Sequence, residues 1–84
     1  MKPIRLTHHA PQYIPIRGFT VEEVKNAITQ AKWESTLGDR LQCRMNFPFG
    51  LDWRGKRYAT KQVRPIFVDE PGEIVVVTVY VYYF

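Results

Sequence analysis

The chain has 84 residues and a single cysteine, so it is long enough for one small domain and forms no intrachain disulfide bond. Twelve lysine and arginine residues against eight aspartate and glutamate residues give a net charge of +4, which suits a nucleic acid or an acidic protein as partner. This charge is concentrated, because residues 40–64 contain seven basic residues and one acidic residue.

The N-terminal half predicts a short strand followed by two helical elements. The strand is expected at residues 4–7. Residues 8–18 contain two prolines, and we expect a short, irregular helix or turn there. A regular helix is predicted for residues 20–32, because Thr20 as N-cap and Glu23 three residues later form a capping box, and apolar residues follow at helical spacing.

The middle of the chain predicts a strand and a loop. Residues 40–47 alternate between apolar and polar side chains, which is typical of a half-exposed strand with a basic outer face. Pro48 is expected to end this strand. The stretch that follows, up to Lys56, contains two glycines and is predicted to be a loop.

The C-terminal residues 74–84 carry the strongest structural signal. All of them are β-branched or aromatic, and both alternating faces are apolar, which predicts a central strand covered on both sides. Regular alternation places the even-numbered residues on one face: Ile74, Val76, Thr78, Tyr80, Tyr82 and Phe84.

The partner of this strand is predicted at residues 61–68, joined to it as an antiparallel hairpin by a turn at residues 69–73. Pro65 within it predicts an edge position or a bulge. The expected fold class is α+β, with two N-terminal helical elements packed on a small antiparallel sheet of three to four strands, in a single domain of residues 1–84.

Short motifs at both ends of the chain are similar to those of one family. The matching segments are Leu6-Thr7, His9-Ala10, Arg17-Gly18-Phe19-Thr20, Glu22-Glu23-Val24 and residues 76–80. They resemble the opening and the last strand of the bacterial domain-of-unknown-function family 4258, which is similar to BrnT-type toxins of the RelE/ParE-like superfamily. Three features depart from the family pattern: Tyr13 replaces the usual arginine, Pro15 disturbs the helix that should carry these residues, and residues 40–61 have no counterpart.

The resemblance implies a RelE/ParE-like fold, a cognate antitoxin as partner, and metal-independent cleavage of RNA. Such cleavage requires a group that activates the 2′-hydroxyl, an acid for the leaving oxygen, and cations for the phosphorane charge. His9 is the candidate acid–base catalyst, because it has the family position and histidine exchanges protons near neutral pH. The other candidate catalytic residues are Arg17, Lys61, Arg64 and Tyr80.

Each catalytic candidate has a purely structural alternative. His9 can cap or pack the first helical element, and Arg17 can pair with an acidic residue at the start of the main helix instead of binding phosphate. Lys61 and Arg64 fall on opposite faces of a regular strand, so at most one of them faces any one site.

The predicted RNA-binding residues are basic. They are Arg40, Arg44 and Arg57. The alternative for these arginines is a solvated sheet face. Tyr80, Tyr82 and Phe84 can stack on bases, or they can pack in a core or an interface.

The leading hypothesis is a toxin of a type II toxin–antitoxin pair that acts as an endoribonuclease. The alternative is a non-catalytic interaction module of the same fold, with a homodimer as one of its forms. No cofactor, metal ion or membrane is expected to take part. A cytoplasmic location is predicted, because the N-terminus lacks an apolar signal segment and the chain has one cysteine.

Overall fold

The N-terminal half folds as a strand and two helices, in the order that the sequence predicts. A computed structural model describes all 84 residues. The first elements are β1 (Ile4–Leu6), a 3-10 turn (Ala10–Tyr13), α1 (Ile14–Arg17) and α2 (Val21–Gln30). The capping box is confirmed, because the Thr20 hydroxyl accepts from the Glu23 N–H and the Glu23 carboxylate accepts from the Thr20 N–H. None of the helices has the length and apolar character needed to cross a membrane.

The C-terminal half forms five strands. They are β2 (Glu34–Ser35), β3 (Leu41–Gln42), β4 (Met45–Trp53), β5 (Lys56–Asp69) and β6 (Ile74–Tyr83). Together with β1 they build a sheet in the order β1-β6-β5-β3-β2, and β4 pairs with β5 beside β3. Only the pairing of β1 with β6 is parallel. The α+β class is confirmed, but the sheet has six strands and not three or four.

Pro48 does not end its strand, contrary to the prediction. Strand β4 lies at the edge beside β5, where Pro48 stands opposite Thr60. Thr60 directs its backbone hydrogen bonds to Phe84 on its other side, so the missing N–H of Pro48 removes no bond from the sheet. The predicted loop is therefore the end of β4 and a tight hairpin turn at Arg54 and Gly55, whose φ angles of 51° and 83° suit a two-residue turn.

Pro65 lies inside the sheet and not at an edge. In β5, Pro65 lies opposite the gap between β3 and β4, where the Cys43 N–H donates to the Pro65 carbonyl at 3.4 Å. The predicted irregularity is found next to it, because the register of β5 against β6 shifts between Ile66 and Phe67. This shift leaves Val77 of β6 as an extra residue, which is a β-bulge.

The bulge reverses the alternation of β6, so the single face predicted for the even-numbered residues is wrong. Ile74 and Val76 face the helices before the bulge, whereas Val79 belongs to the same core after it. Tyr80 and Tyr82 consequently point away from the helices, with exposed fractions of 38% and 43%. An inserted residue has this effect because side chains alternate with a period of two.

The core lies between α2 and one face of the sheet. Its buried members are Phe19, Val24, Ala27, Ile28, Cys43, Val63, Phe67, Ile74, Val76 and Val79. Strand β6 is central only beside β1, which pairs with its first three residues. The prediction that β6 is central and covered on both sides is therefore correct only for its beginning. The sheet face opposite α2 is called the outer face below.

Candidate functional site

The outer face carries polar and aromatic side chains in rows across the strands. The rows given by the strand register are Gln42–Ile66–Thr78, Arg64–Tyr80 and Asn46–Gln62–Tyr82. Strand β2 extends the first row with Glu34, which is the only acidic residue in these rows. Glu34 stands opposite Gln42 on β2 and forms no ion pair. The basic and polar outer face that the sequence predicts is thus formed.

Arginine and tyrosine side chains alternate across this face. The Arg64 guanidinium carbon lies 4.9 Å from the centre of the Tyr80 ring and 5.6 Å from that of Tyr82. The Arg17 guanidinium carbon lies 4.9 Å from the Tyr80 ring and 4.1 Å from the Tyr13 ring. These distances are those of cation–π contacts. We name this alternating series of five side chains, from Tyr13 to Tyr82, the Arg–Tyr ladder.

The backbone that carries Arg17 is held by two side chains of the sheet and one of the turn between β4 and β5. Arg54, Tyr83 and Lys61 each donate a hydrogen bond to one of the successive carbonyl oxygens of residues 16–18. The last carbonyls of a helix have no donor within the helix, so these bonds satisfy groups that would otherwise lack a partner. Burial raises the pKa of the Tyr83 hydroxyl, which keeps it protonated as a donor.

The side chain of Arg17 lies against the free edge of β6. Its guanidinium donates to the Thr78 hydroxyl at 3.2 Å and to the Val79 carbonyl at 2.9 Å. The predicted alternative, an ion pair with Glu22 or Glu23, is not formed. Arg17 therefore joins the N-terminal segment to the outer face and fixes one end of the ladder.

Lys61 does not belong to the outer face. Its side chain is buried on the helix side, where the ammonium nitrogen lies 2.8 Å from the Glu23 carboxylate and 3.0 Å from the Gly18 carbonyl oxygen. The expectation that Lys61 and Arg64 lie on opposite faces is confirmed. Because the lysine is already paired and enclosed, it forms a tertiary contact on the helix side, separate from the outer face.

Arg64 has the surroundings of a ligand-binding cation. It forms no ion pair or hydrogen bond, and its Nε atom is buried without a partner. Buried polar atoms of native proteins nearly always have one, so this atom indicates a group that is satisfied only when a ligand or water is present. Arg64 also lines a shallow cavity of about 420 Å³.

That cavity lies between the outer face and the loop from β2 to β3. Its walls are Thr36, Leu37, Arg40, Gln42, Arg64, Ile66, Thr78 and Tyr80. Two of these residues are cations and none is an acid, so the cavity favours an anion. Arg44 lies exposed between Gln42 and Asn46, whereas Arg57 lies on the distant hairpin opposite Asp52.

His9 is separate from this arrangement. It is exposed at the N-cap position of the 3-10 turn, where its side chain makes no capping hydrogen bond, and its ring packs on His8 at 4.2 Å. No hydrogen bond, ion pair or ring contact joins His9 to the ladder. Cys43 is fully buried, and burial raises the pKa of its thiol to about 11, as expected for a structural cysteine. The structure contains no cluster of three or more His, Cys, Asp or Glu side chains that could hold a metal ion.

The structure thus brings together Arg17, Arg64, Tyr80 and Arg40 from the predicted set, and it adds Tyr13 and Gln42. Tyr13 was recognisable in principle, because its spacing of four residues from Arg17 places both side chains on one side of a helical turn.

Comparisons of the chain with models of known protein families, with curated proteins and with solved structures find no significant match.

Proposed function

We propose that this protein binds single-stranded RNA on the outer face of its sheet. The Arg–Tyr ladder is the observation that carries the proposal. Aromatic rings on an open sheet provide stacking platforms for bases, and each stacked base contributes about 1–3 kcal/mol in proteins that bind single strands. Tyr82 is exposed and contacts a single guanidinium, so its ring can accept a base, whereas the Tyr80 ring already contacts two guanidinium groups. The arginines beside these rings can in turn contact phosphates.

Charge supports the same ligand. The ladder arginines, Arg17 and Arg64, form no ion pair with an acidic residue, and Arg40 and Arg44 also lack one. Their charge is therefore available for phosphate groups, which bind to proteins largely through the release of counterions. A single strand fits better than a duplex, because the faces of its bases are accessible to tyrosine rings.

Fluorescence anisotropy with a labelled RNA of about 12 nucleotides tests the proposal. We expect the single strand to bind at about 50 mM salt and more weakly as salt rises, with a log–log slope of about −2 to −3 if three or four phosphates are neutralised. The same sequence as duplex RNA is expected to bind less tightly, and single-stranded DNA serves to measure the contribution of the 2′-hydroxyl. Absence of binding at low salt, or equal affinity for the duplex, contradicts the proposal.

The resemblance to RelE/ParE-like toxins adds a more specific form of this function, an endoribonuclease with a cognate antitoxin as partner. Its support in the structure is the contact of Arg17 and of Arg64 with the Tyr80 ring, which joins three of the predicted catalytic residues. Cleavage also requires an acid–base group. The candidate, His9, lies outside these contacts at the start of the 3-10 turn, so it acts only if RNA bound to the ladder extends past Tyr13.

Cleavage and toxicity are testable together. In the presence of a chelator, the protein is expected to cleave single-stranded RNA and to arrest growth when it is expressed in a sensitive host. The variant His9→Ala is expected to lose both effects and to retain RNA binding. His8→Ala, the same change at the stacked neighbour, is the matched control and keeps both. If the wild-type protein binds RNA but leaves it intact, the toxin form of the function is contradicted and the binding function alone remains.

The free edge of β6 favours a second candidate, a non-catalytic interaction module. Beyond Val76 the strand has no partner on the side of β1, and Tyr82 and Phe84 at its end are exposed. Such an edge can pair with a second copy of the chain. A stable dimer by light scattering, with no affinity for RNA, would support this candidate over the first.

A further inference from the structure

The cavity beside the ladder has a fixed wall. The loop between β2 and β3 is closed by a hydrogen bond from the Thr36 N–H to the Arg40 carbonyl at 3.0 Å and by one from the Arg40 N–H to the Leu37 carbonyl at 3.2 Å. It stands beside the outer face and encloses about 420 Å³. This volume lies within the range of roughly 300–1,000 Å³ that is typical of small-molecule sites.

Most polar side chains of the cavity wall lack partners within the protein; the exception is the Thr78 hydroxyl, which accepts from Arg17. The Gln42 amide, the Thr36 hydroxyl and the Arg40 guanidinium form no hydrogen bond, and the buried Nε of Arg64 has none. The other glutamine of the outer face behaves differently, since Gln62 donates to the Asn46 side chain at 2.9 Å. Unused donors and acceptors therefore gather around the cavity, whereas Gln62 on the same face is already engaged.

The chemistry of the wall matches the parts of a nucleotide. Two guanidinium groups suit a phosphate, which they bind through planar, charge-assisted hydrogen bonds. A glutamine amide offers one acceptor and two donors, the combination that reads the edge of a base. Leu37, Ile66 and the Tyr80 ring supply apolar surface against which a base can pack.

We infer that this cavity holds one nucleotide of the bound RNA, with its phosphate between Arg40 and Arg64 and its base read by Gln42. The inference rests on the proposed RNA binding and goes beyond it, because a stacking ladder alone binds RNA with little regard to sequence. A site for phosphate alone would use the arginines but neither the amide nor the apolar wall. The protein is accordingly expected to prefer RNA with a particular base at one position.

Titration of the intact protein with the four ribonucleoside 5′-monophosphates, followed by NMR, tests the site. We expect one of them to bind about tenfold more tightly than inorganic phosphate or its own nucleoside, and to shift the side-chain amide signal of Gln42. Equal affinities for the nucleotides and for phosphate would overturn the inference and leave an anion site.

The variant Gln42→Ala is expected to reduce the difference in affinity among the four nucleotides to less than about threefold, while oligonucleotide binding through the ladder is retained. Gln62→Ala is the matched control, because its amide is engaged with Asn46, and it is expected to keep the preference. A preference that survives Gln42→Ala overturns the role of Gln42. If the wild-type protein binds oligonucleotides but no mononucleotide, only the inference about the cavity is refuted. If it binds neither, the proposed function is refuted as well.

Discussion

Replacing Arg64 by alanine is expected to weaken the binding of single-stranded RNA by about tenfold to a hundredfold. Arg64 is the one arginine that contacts both exposed tyrosines of β6 and also lines the cavity, so its removal takes away a phosphate contact and the group that orders two rings. The fold is expected to persist, because Arg64 makes no ion pair or hydrogen bond whose loss would cost stability. Anisotropy measures the affinity, and circular dichroism checks the fold.

Two further variants separate the ladder from simple charge attraction. Arg57→Ala removes the same charge from the hairpin, away from the outer face, and is expected to weaken binding by less than about threefold. Arg64→Lys keeps the charge but loses the planar guanidinium, so an intermediate loss is expected. If Arg57→Ala and Arg64→Ala weakened binding equally, the attraction would depend on net charge alone and the ladder would have no special role.

The parts of this fold that the sequence predicts are those set by local chemistry. The capping box at Thr20 and Glu23 is complete within four residues, and the hairpin of β5 and β6 follows from two apolar runs around a turn. The polar outer face follows in the same way from alternation in residues 40–47. In each case a residue and its near neighbours carry enough information, since helix caps and turns form within the chain segment itself.

The parts that escaped prediction depend on contacts between distant segments. The extra residue at Val77 is invisible in a run of eleven β-branched and aromatic residues, yet it decides which side chains of β6 face outward. The pairing of Lys61 was not predicted, because its partners, Glu23 and the Gly18 carbonyl, lie about forty positions away. The position of Arg17 likewise depends on three donors from the C-terminal half of the chain, Arg54, Lys61 and Tyr83.

Gly18 is where this long-range arrangement is most sensitive to mutation. Its φ angle is 82°, and an added Cβ would collide with the Tyr83 hydroxyl and lie 2.8 Å from the Trp53 ring. The variant Gly18→Ala is expected to lower the free energy of unfolding by about 3 kcal/mol, of which left-handed backbone strain supplies about 1 and overpacking the rest. Urea denaturation followed by tryptophan fluorescence measures this loss.

Gly55→Ala is the matched control for this prediction. Its φ angle of 83° gives the same backbone strain, but nothing lies within 4 Å of the added Cβ, so a loss of only about 1 kcal/mol is expected. Because the Tyr83 hydroxyl also holds the carbonyl of Arg17, Gly18→Ala is expected to weaken RNA binding as well, whereas Gly55→Ala leaves it unchanged. Equal losses of stability in the two variants would contradict the close packing of Gly18 against Tyr83. Unchanged RNA affinity in a folded Gly18→Ala protein would show that the seating of Arg17 does not govern the ladder.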